Sequence, residues 1–233
     1  MLKTSVPDAI DAIRRGQVVL VTDDEGRENE GDLIMAAEAC TPDAMAFFLR
    51  HTSGVICASV TGERADALNL PLMVSDNQEA LTTAFTVTVD AADGISTGIS
   101  AHDRATTLRL LAAPSSTPGT FVRPGHIFPL RSRVGGVLRR DGHTEAAGDL
   151  AQLAGLEPVG VLSEVTTADK SGMAQRPELE QLARDHDLPL ITIADLIAHR
   201  MRHEPLVRHL SEAREAVVEA GEARCNSLTG VAG

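Results

Sequence analysis

Six acidic side chains fall within ten positions in Asp23-Asp24-Glu25-Gly26-Arg27-Glu28-Asn29-Glu30-Gly31-Asp32, directly after the apolar run Val18-Val19-Leu20-Val21. Carboxylates at that density raise one another's pKa and repel, and a hard divalent cation relieves the crowding by taking oxygen ligands. The alternative is a solvated acidic loop, since runs of charge are commonly surface. Two glycines and a position at a strand end favour a ligand-bearing loop. An EF-hand is excluded: counted from Asp23, the fifth position is Arg27 and the sixth is Glu28, where that loop needs an oxygen ligand and a glycine.

A second cluster, Arg139-Arg140-Asp141-Gly142-His143-Thr144-Glu145, precedes a helical pattern. Thr144 is the expected cap of that helix. Arg140 and the first-turn N–H groups then form an anion site suited to phosphate, with His143 beside it as a nitrogen donor. A surface or capping histidine and a salt-bridged arginine pair are the plainer alternatives. Residues 123–133 add His126 and further positive charge, which in an acidic chain suggests a pocket for an anionic small molecule. Glu164 follows the apolar run Val159 to Leu162 and is either a core-edge carboxylate or a general acid or base. This inventory describes a magnesium- or manganese-dependent enzyme acting on a small phosphorylated, oxygen-rich substrate, with isomerase, lyase and phosphatase chemistry all open.

The elements that must position these groups follow from the composition and its periodicity. The 233 residues are 43% hydrophobic and 23% charged, with 21 Lys+Arg against 33 Asp+Glu for a net charge of -12, an ordinary globular balance. The negative excess disfavours nucleic-acid backbones and anionic lipid. With no Trp, no Tyr and five Phe, a base-stacking platform has little to be built from, and aliphatic side chains must fill the core. Three well-separated cysteines, Cys40, Cys57 and Cys225, indicate neither a disulfide framework nor a zinc knuckle, and fit a reducing cytoplasm. No apolar run is long enough to span a bilayer, and the N-terminus carries no secretory pattern. Phosphate-loop, dinucleotide-binding, nucleophile-elbow and zinc-protease motifs are all missing.

Helix over 6–15 with Ser5 as N-cap, strands at Val18–Val21 and Leu33–Ala36, a helix opened by Thr41-Pro42, and strands at Val55–Val60 and Phe85–Val89 are expected. Ser100 caps a helix carrying Leu108, Leu110 and Leu111, and strands at Ile127–Leu130, Val159–Leu162 and Leu188–Ile193 follow, with a helix ending over Leu150–Leu156. The alternation predicts a single-domain α/β layered sandwich, a mixed sheet flanked by helices, over residues 1–210. Residues 211–233 read as an Ala- and Glu-rich surface helix fraying into a loose tail.

Four ordered segments closely resemble the 3,4-dihydroxy-2-butanone 4-phosphate synthases of riboflavin biosynthesis: Asp23–Asp32, Thr97-Gly98-Ile99-Ser100-Ala101-His102-Asp103-Arg104, Arg123-Pro124-Gly125-His126-Ile127-Phe128-Pro129-Leu130-Arg131, and Gly142-His143-Thr144-Glu145-Ala146. The resemblance runs from about Val6 to about His203 and implies a homodimer, which the cysteine usage places in the cytoplasm. It further implies that D-ribulose 5-phosphate becomes L-3,4-dihydroxy-2-butanone 4-phosphate and formate, with one or two Mg2+ or Mn2+ ions. A proton leaves C3, the C1 hydroxyl is lost, a skeletal shift joins C3 to C5, and C4 departs as formate. By similarity Glu28 and His143 hold the metal. Arg27, Glu28, Asp32, Arg140, Gly142, Thr144 and Glu164 contact the sugar phosphate, and His126 and Glu164 are essential to turnover. Asp23, Glu30 and Cys57 take lesser catalytic parts, and Thr97 reaches a neighbouring subunit's phosphate site.

Three positions depart from the family pattern: Asp141 replaces a small residue beside the phosphate site, Ser163 a common Cys, and Gln175 an expected Arg after Met173-Ala174. They bear on affinity more than on reaction type. Many relatives carry a fused GTP cyclohydrolase II domain, and the chain is expected to be monofunctional. A divergent sugar-phosphate isomerase or aldolase, or a non-catalytic sugar-phosphate-binding paralogue, is the competing expectation.

Overall fold

The computed structural model describes residues 4–24 and 26–204. Helix α1, Val6–Arg14, opens where the Ser5 side chain accepts from the Asp8 N–H, and it buries Val6, Ala9, Ile10 and Ile13. Strands β1 (Val19–Thr22) and β2 (Gly31–Ala36) form an antiparallel pair whose connecting turn is the acidic loop, with Thr22 opposite Gly31. Both are buried throughout, as the continuous apolar runs require. Thr41 caps α2 (Pro42–His51) with proline in the first turn. Then come β3 (Cys57–Val60), α3 (Gly62–Ala67), β4 (Val89–Ala91), α4 (Ala101–Ala112) capped by Ser100, and β5 (Phe121–Arg131). The chain continues through α5 (His143–Leu153), β6 (Gly160–Glu164), α6 (Arg176–Asp185), β7 (Leu190–Thr192) and α7 (Ile193–His203).

Among the described residues the strands form one seven-stranded sheet in the order β4-β5-β3-β6-β2-β1-β7. β1 runs parallel to β7 and β3 to β5, while the other neighbours are antiparallel, so the expected mixed sheet is present. Helix α5 lies on β1, β2, β3 and β6 together with α1. Alternate strand residues Leu20, Leu33, Met35, Ala58, Val60 and Val161 instead join a cluster with Met45 and Phe48 of α2 and Leu108 and Leu111 of α4. The two-sided cover makes this an α/β layered fold. Its core is aliphatic, with Phe48 the one aromatic among its largest fully buried side chains.

Two expectations shift. The segment Phe85–Val89 is not a regular strand: Phe85 makes an isolated bridge to Leu130, Thr86 N donates to Pro129 O, and β4 begins only at Val89. Pro129 has no N–H to return the bond, so a continuous ladder cannot form there. Thr144 is not the cap of α5; Gly142 is, in extended conformation, and Thr144 lies inside the first turn.

Among the described residues one compact unit runs to Leu196 and a second begins at Ile197, within α7. In the second, Arg200 and Glu204 pair at 2.6 Å. The expected tail over 211–233 and Cys225 lie outside the described residues. No described helix is long and apolar enough to cross a membrane.

Candidate active site

The β1–β2 turn is built around Asp23, whose side chain is 1% exposed. Its Oδ1 accepts the Glu30 N–H at 2.9 Å, and its Oδ2 accepts the Glu28 N–H at 3.1 Å and Arg27 Nη1 at 2.9 Å. Asn29 turns the chain at φ 56, a left-handed conformation that asparagine tolerates better than most residues. Asp23 is thus the clasp of the loop. Arg27 Nη1 also pairs with Glu28.

Strand registry brings the next carboxylates together. Asp32 on β2 lies opposite Glu164 at the end of β6, and Cys57 opposite Leu162. Arg27, Glu28, Glu30, Asp32, Cys57, Arg140, His143, Thr144 and Glu164 line a single cleft of about 230 Å³. The electrostatics there are severe. Burial pushes Asp32 well above the usual carboxylate range, helped by Glu164 and Glu28. Glu30 rises to about 6, through burial and then the charges of Glu28 and Glu164. Burial also raises the Cys57 thiol, with Glu164 and Asp32 adding to it, so the side chain is a protonated wall of the cleft. Glu164 accepts from Ser53 Oγ at 2.8 Å.

His143 is the first residue of α5 and is 7% exposed. Burial lowers its pKa to about 4, keeping the imidazole neutral near pH 7. Its Nε2 and the Asp32 Oδ1 are buried without a hydrogen-bond partner, and Nδ1 stands 3.8 Å from that same Oδ1. Ligand atoms of Asp23, Glu28 and His143 lie within 4.8 Å of one another. Asp23 spends both oxygens on N–H donors and Glu28 spends Oε2 on Arg27, which leaves Glu28 Oε1 and His143 Nε2 as the atoms of this group best placed to take a cation. A neutral imidazole with an orphaned nitrogen, facing carboxylates that repel, is a donor set that fits a hard or borderline divalent cation.

The opposite wall is cationic. Arg140 Nη1 donates to Glu145 Oε2 at 2.8 Å, and Nη2 to Thr83 Oγ1 at 3.0 Å and Leu81 O at 3.3 Å. Gly142 lets this happen, because a Cβ there would strike Arg140 Nη1. Arg140 is therefore held over the N-terminus of α5, where first-turn N–H groups favour an anion.

Two expected residues are elsewhere. His126, on β5, is not among the residues lining the cleft, and neither is Thr97, which is exposed in the turn before α4. Conversely, Glu79, Thr83, Phe85, Leu130 and Leu162 line the cleft without having been singled out from the sequence. Glu79 accepts the Leu81 and Thr83 N–H groups at 2.8 and 2.7 Å, and these bonds hold its pKa down. The one available signal was Asp76-Asn77, turn-forming residues; Asn77 Oδ1 indeed accepts the Glu79 N–H at 3.0 Å. The three departures have visible places. Ser163 is buried and donates to Val55 O at 2.8 Å, Gln175 caps α6 and accepts from Asn29 Nδ2 at 2.6 Å, and Asp141 is exposed.

Comparison with known proteins agrees with this arrangement. The family model described as 3,4-dihydroxy-2-butanone 4-phosphate synthase matches residues 7–199. The chain is 57% identical over 211 residues to the Arabidopsis thaliana monofunctional riboflavin biosynthesis protein RIBA 2, chloroplastic, covering 90% of this chain and 44% of that protein. It is 54% identical over 211 residues to the riboflavin biosynthesis protein RibBA of Rhodococcus erythropolis, covering 90% of this chain and 50% of the relative. The chain thus spans half or less of the length of these curated relatives. A crystal structure of a 3,4-dihydroxy-2-butanone 4-phosphate synthase in complex with two magnesium ions superposes with a TM-score of 0.83 at 48% identity, covering 86% of this chain and 98% of that one. With both sequence and fold shared across nearly all of the described residues, the chain belongs to the 3,4-dihydroxy-2-butanone 4-phosphate synthase family.

Proposed function

We propose that the chain is a lyase converting D-ribulose 5-phosphate to L-3,4-dihydroxy-2-butanone 4-phosphate and formate in riboflavin biosynthesis, as a cytoplasmic, magnesium- or manganese-dependent homodimer. The observation that carries this reading is the single cleft in which acidic-loop carboxylates and a neutral His143 face Arg140 at a helix N-terminus. Glu28 and His143 would hold the metal. When bound, the ion would supply positive charge for the oxyanion that develops as the sugar carbonyl enolises.

The chain's own groups divide the remaining work. Arg140, Gly142, Thr144 and the first-turn N–H groups of α5 bind the phosphate, which fixes the distance from the anion site to the reacting carbons. Arg27, Glu28 and Asp32 orient the sugar hydroxyls. Glu164, with one oxygen on Ser53, and Glu30, whose pKa of about 6 suits it to both donate and accept, move protons at C3 and at the departing C1 hydroxyl. Asp23 acts through the loop it clasps, and Cys57 through the shape of the wall.

His126 and Thr97 belong to the partner's cleft in this reading. Three observations support a subunit contact beside them. Val55, Ile99 and Val122 are large apolar side chains left 40%, 48% and 48% exposed. Arg104 ties two of their segments together by donating to Gly54 O and Ile99 O at 2.9 and 3.0 Å. Val122 pairs with Asp90, which in turn holds His126.

The deciding experiment measures formate from D-ribulose 5-phosphate with magnesium and again with EDTA. Stoichiometric, chelator-sensitive formate is the expected result. Conversion of the sugar phosphate without formate would instead identify an isomerase or aldolase, and no conversion by folded, metal-loaded protein a binding paralogue.

A further inference from the structure

His126 sits in a built environment of its own. Its ring Nδ1 is 2.6 Å from Asp90 Oδ2, while Asp90 Oδ1 accepts the His126 backbone N–H at 2.9 Å. The Asp90 side chain is 7% exposed and the imidazole 41%. β4 carries Asp90 at a register shift against β5, and that irregularity brings its carboxylate under His126. The turn before α4 closes over the pair. Gly98, at φ 89, has no room for a side chain, since a Cβ would strike the Asp90 carboxylate and His126 Nδ1. That turn is pinned by Asp103, which accepts from Ser96 Oγ at 2.7 Å and from the Gly98 N–H at 3.1 Å.

A carboxylate can only accept, so the ring nitrogen facing it must carry the proton. In a neutral imidazole the other nitrogen, Nε2, then bears the lone pair. Nε2 has no hydrogen-bond partner among the described residues. We propose that Asp90 is a positioning residue that locks His126 in its Nδ1–H form, presenting Nε2 outward as a proton acceptor. This rests on the proposed lyase reading, in which His126 reaches a partner's cleft, and it adds a substrate proton to what His126 does there. A proton taken by Nε2 leaves an imidazolium whose charge Asp90 offsets, and the same Nε2 returns it later in the cycle.

The test uses the full chain, labelled with 15N in its histidine rings, with the His126 signals identified by their loss in His126→Ala. At a pH where the ring holds one proton, His126 is expected to show a protonated Nδ1 and an unprotonated Nε2. Asp90→Asn should reverse this. Its amide oxygen must stay on the His126 backbone N–H, so its NH2 faces Nδ1 and forces the proton to Nε2. Formate-release kcat should fall about 10²–10³-fold with KM changed less than about threefold. Asp90→Glu keeps an acceptor there, and should retain the Nδ1–H form and recover to within about tenfold of the original rate.

A wild-type His126 protonated at Nε2 would overturn the proposal whatever the activity. So would a reversed tautomer in Asp90→Asn with unchanged kcat while His126→Ala is inactive. If the wild-type protein shows the Nδ1–H form but releases no formate, the lock stands and the lyase reading fails. Should Asp90→Asn not fold, the wild-type spectrum and Asp90→Glu decide the question alone.

Discussion

Glu30, Asp32 and His143 are held in protonation states that oppose one another in their effect on stability. Glu30 titrates at about 6 against an ordinary 4.5, so the metal-free protein loses stability as pH rises from about 4.5 to 6. His143 titrates at about 4 against 6.5, so stability is lost as pH falls across that range. The windows overlap and melting curves blur them, whereas proton release on metal binding separates them. His143 is already neutral at pH 6 and has nothing to release; the crowded carboxylates do. Manganese binding measured calorimetrically at pH 6, in two buffers of different ionisation enthalpy, should release up to about half a proton from Glu30, a share that falls toward zero by pH 8 and that Glu30→Gln should remove. Proton uptake, or release unaltered by Glu30→Gln, would refute this assignment. Glu28→Gln should fold normally, lose manganese affinity, and retain less than about one hundredth of the formate release; near-normal turnover would dismiss Glu28 as a ligand.

The phosphate wall is made by one helix start and two loops, and Glu145 joins them. It is 2% exposed and binds Arg140 Nη1 at 2.8 Å and the Arg133 N–H at 3.0 Å. Removing one partner of a buried pair strands the other, so Glu145→Ala should cost about 3 kcal/mol and lower Tm by roughly 6–12 °C. It should also raise KM for the sugar phosphate more than it lowers kcat, because Arg140 loses its direction and not its charge. An unchanged KM would show that Arg140 does not need this anchor. The start of α5 was legible in the sequence because Arg, Gly, His and Thr cluster before a helical period, although the cap was misplaced: Gly142 takes the cap position, with Arg140 folded over it. The acidic loop was legible through its charge density alone. Glu79, Thr83 and Phe85 were not, since they reach the cleft from irregular chain whose shape depends on Pro129 breaking a ladder and on Arg140 binding Leu81 and Thr83. Periodicity carries no information about such contacts.

At the scale of the whole molecule, the distance between what the family pattern demands and what one chain's cleft contains becomes an assembly argument. Every candidate site residue lines or braces a single cleft, except His126, expected to be essential to turnover, and Thr97, which share the Gly98 turn region instead. If they complete the partner's cleft, each active site takes Glu28 from one subunit and His126 from the other. Subunit mixing tests this directly. Glu28→Gln and His126→Ala homodimers should each be inactive. In a hybrid, one site pairs the intact Glu28 of the His126→Ala subunit with the intact His126 of its partner, and the other site carries both lesions. Random exchange of equal amounts makes about half of the dimers hybrid with one working site in two, so formate release should recover to about one quarter of the wild-type rate. A cleft served by its own chain's His126 would leave both hybrid sites dead. Exchange confirmed by mass spectrometry with no recovered activity would therefore return His126 to its own subunit, and the exposed Val55, Ile99 and Val122 would no longer support a shared site.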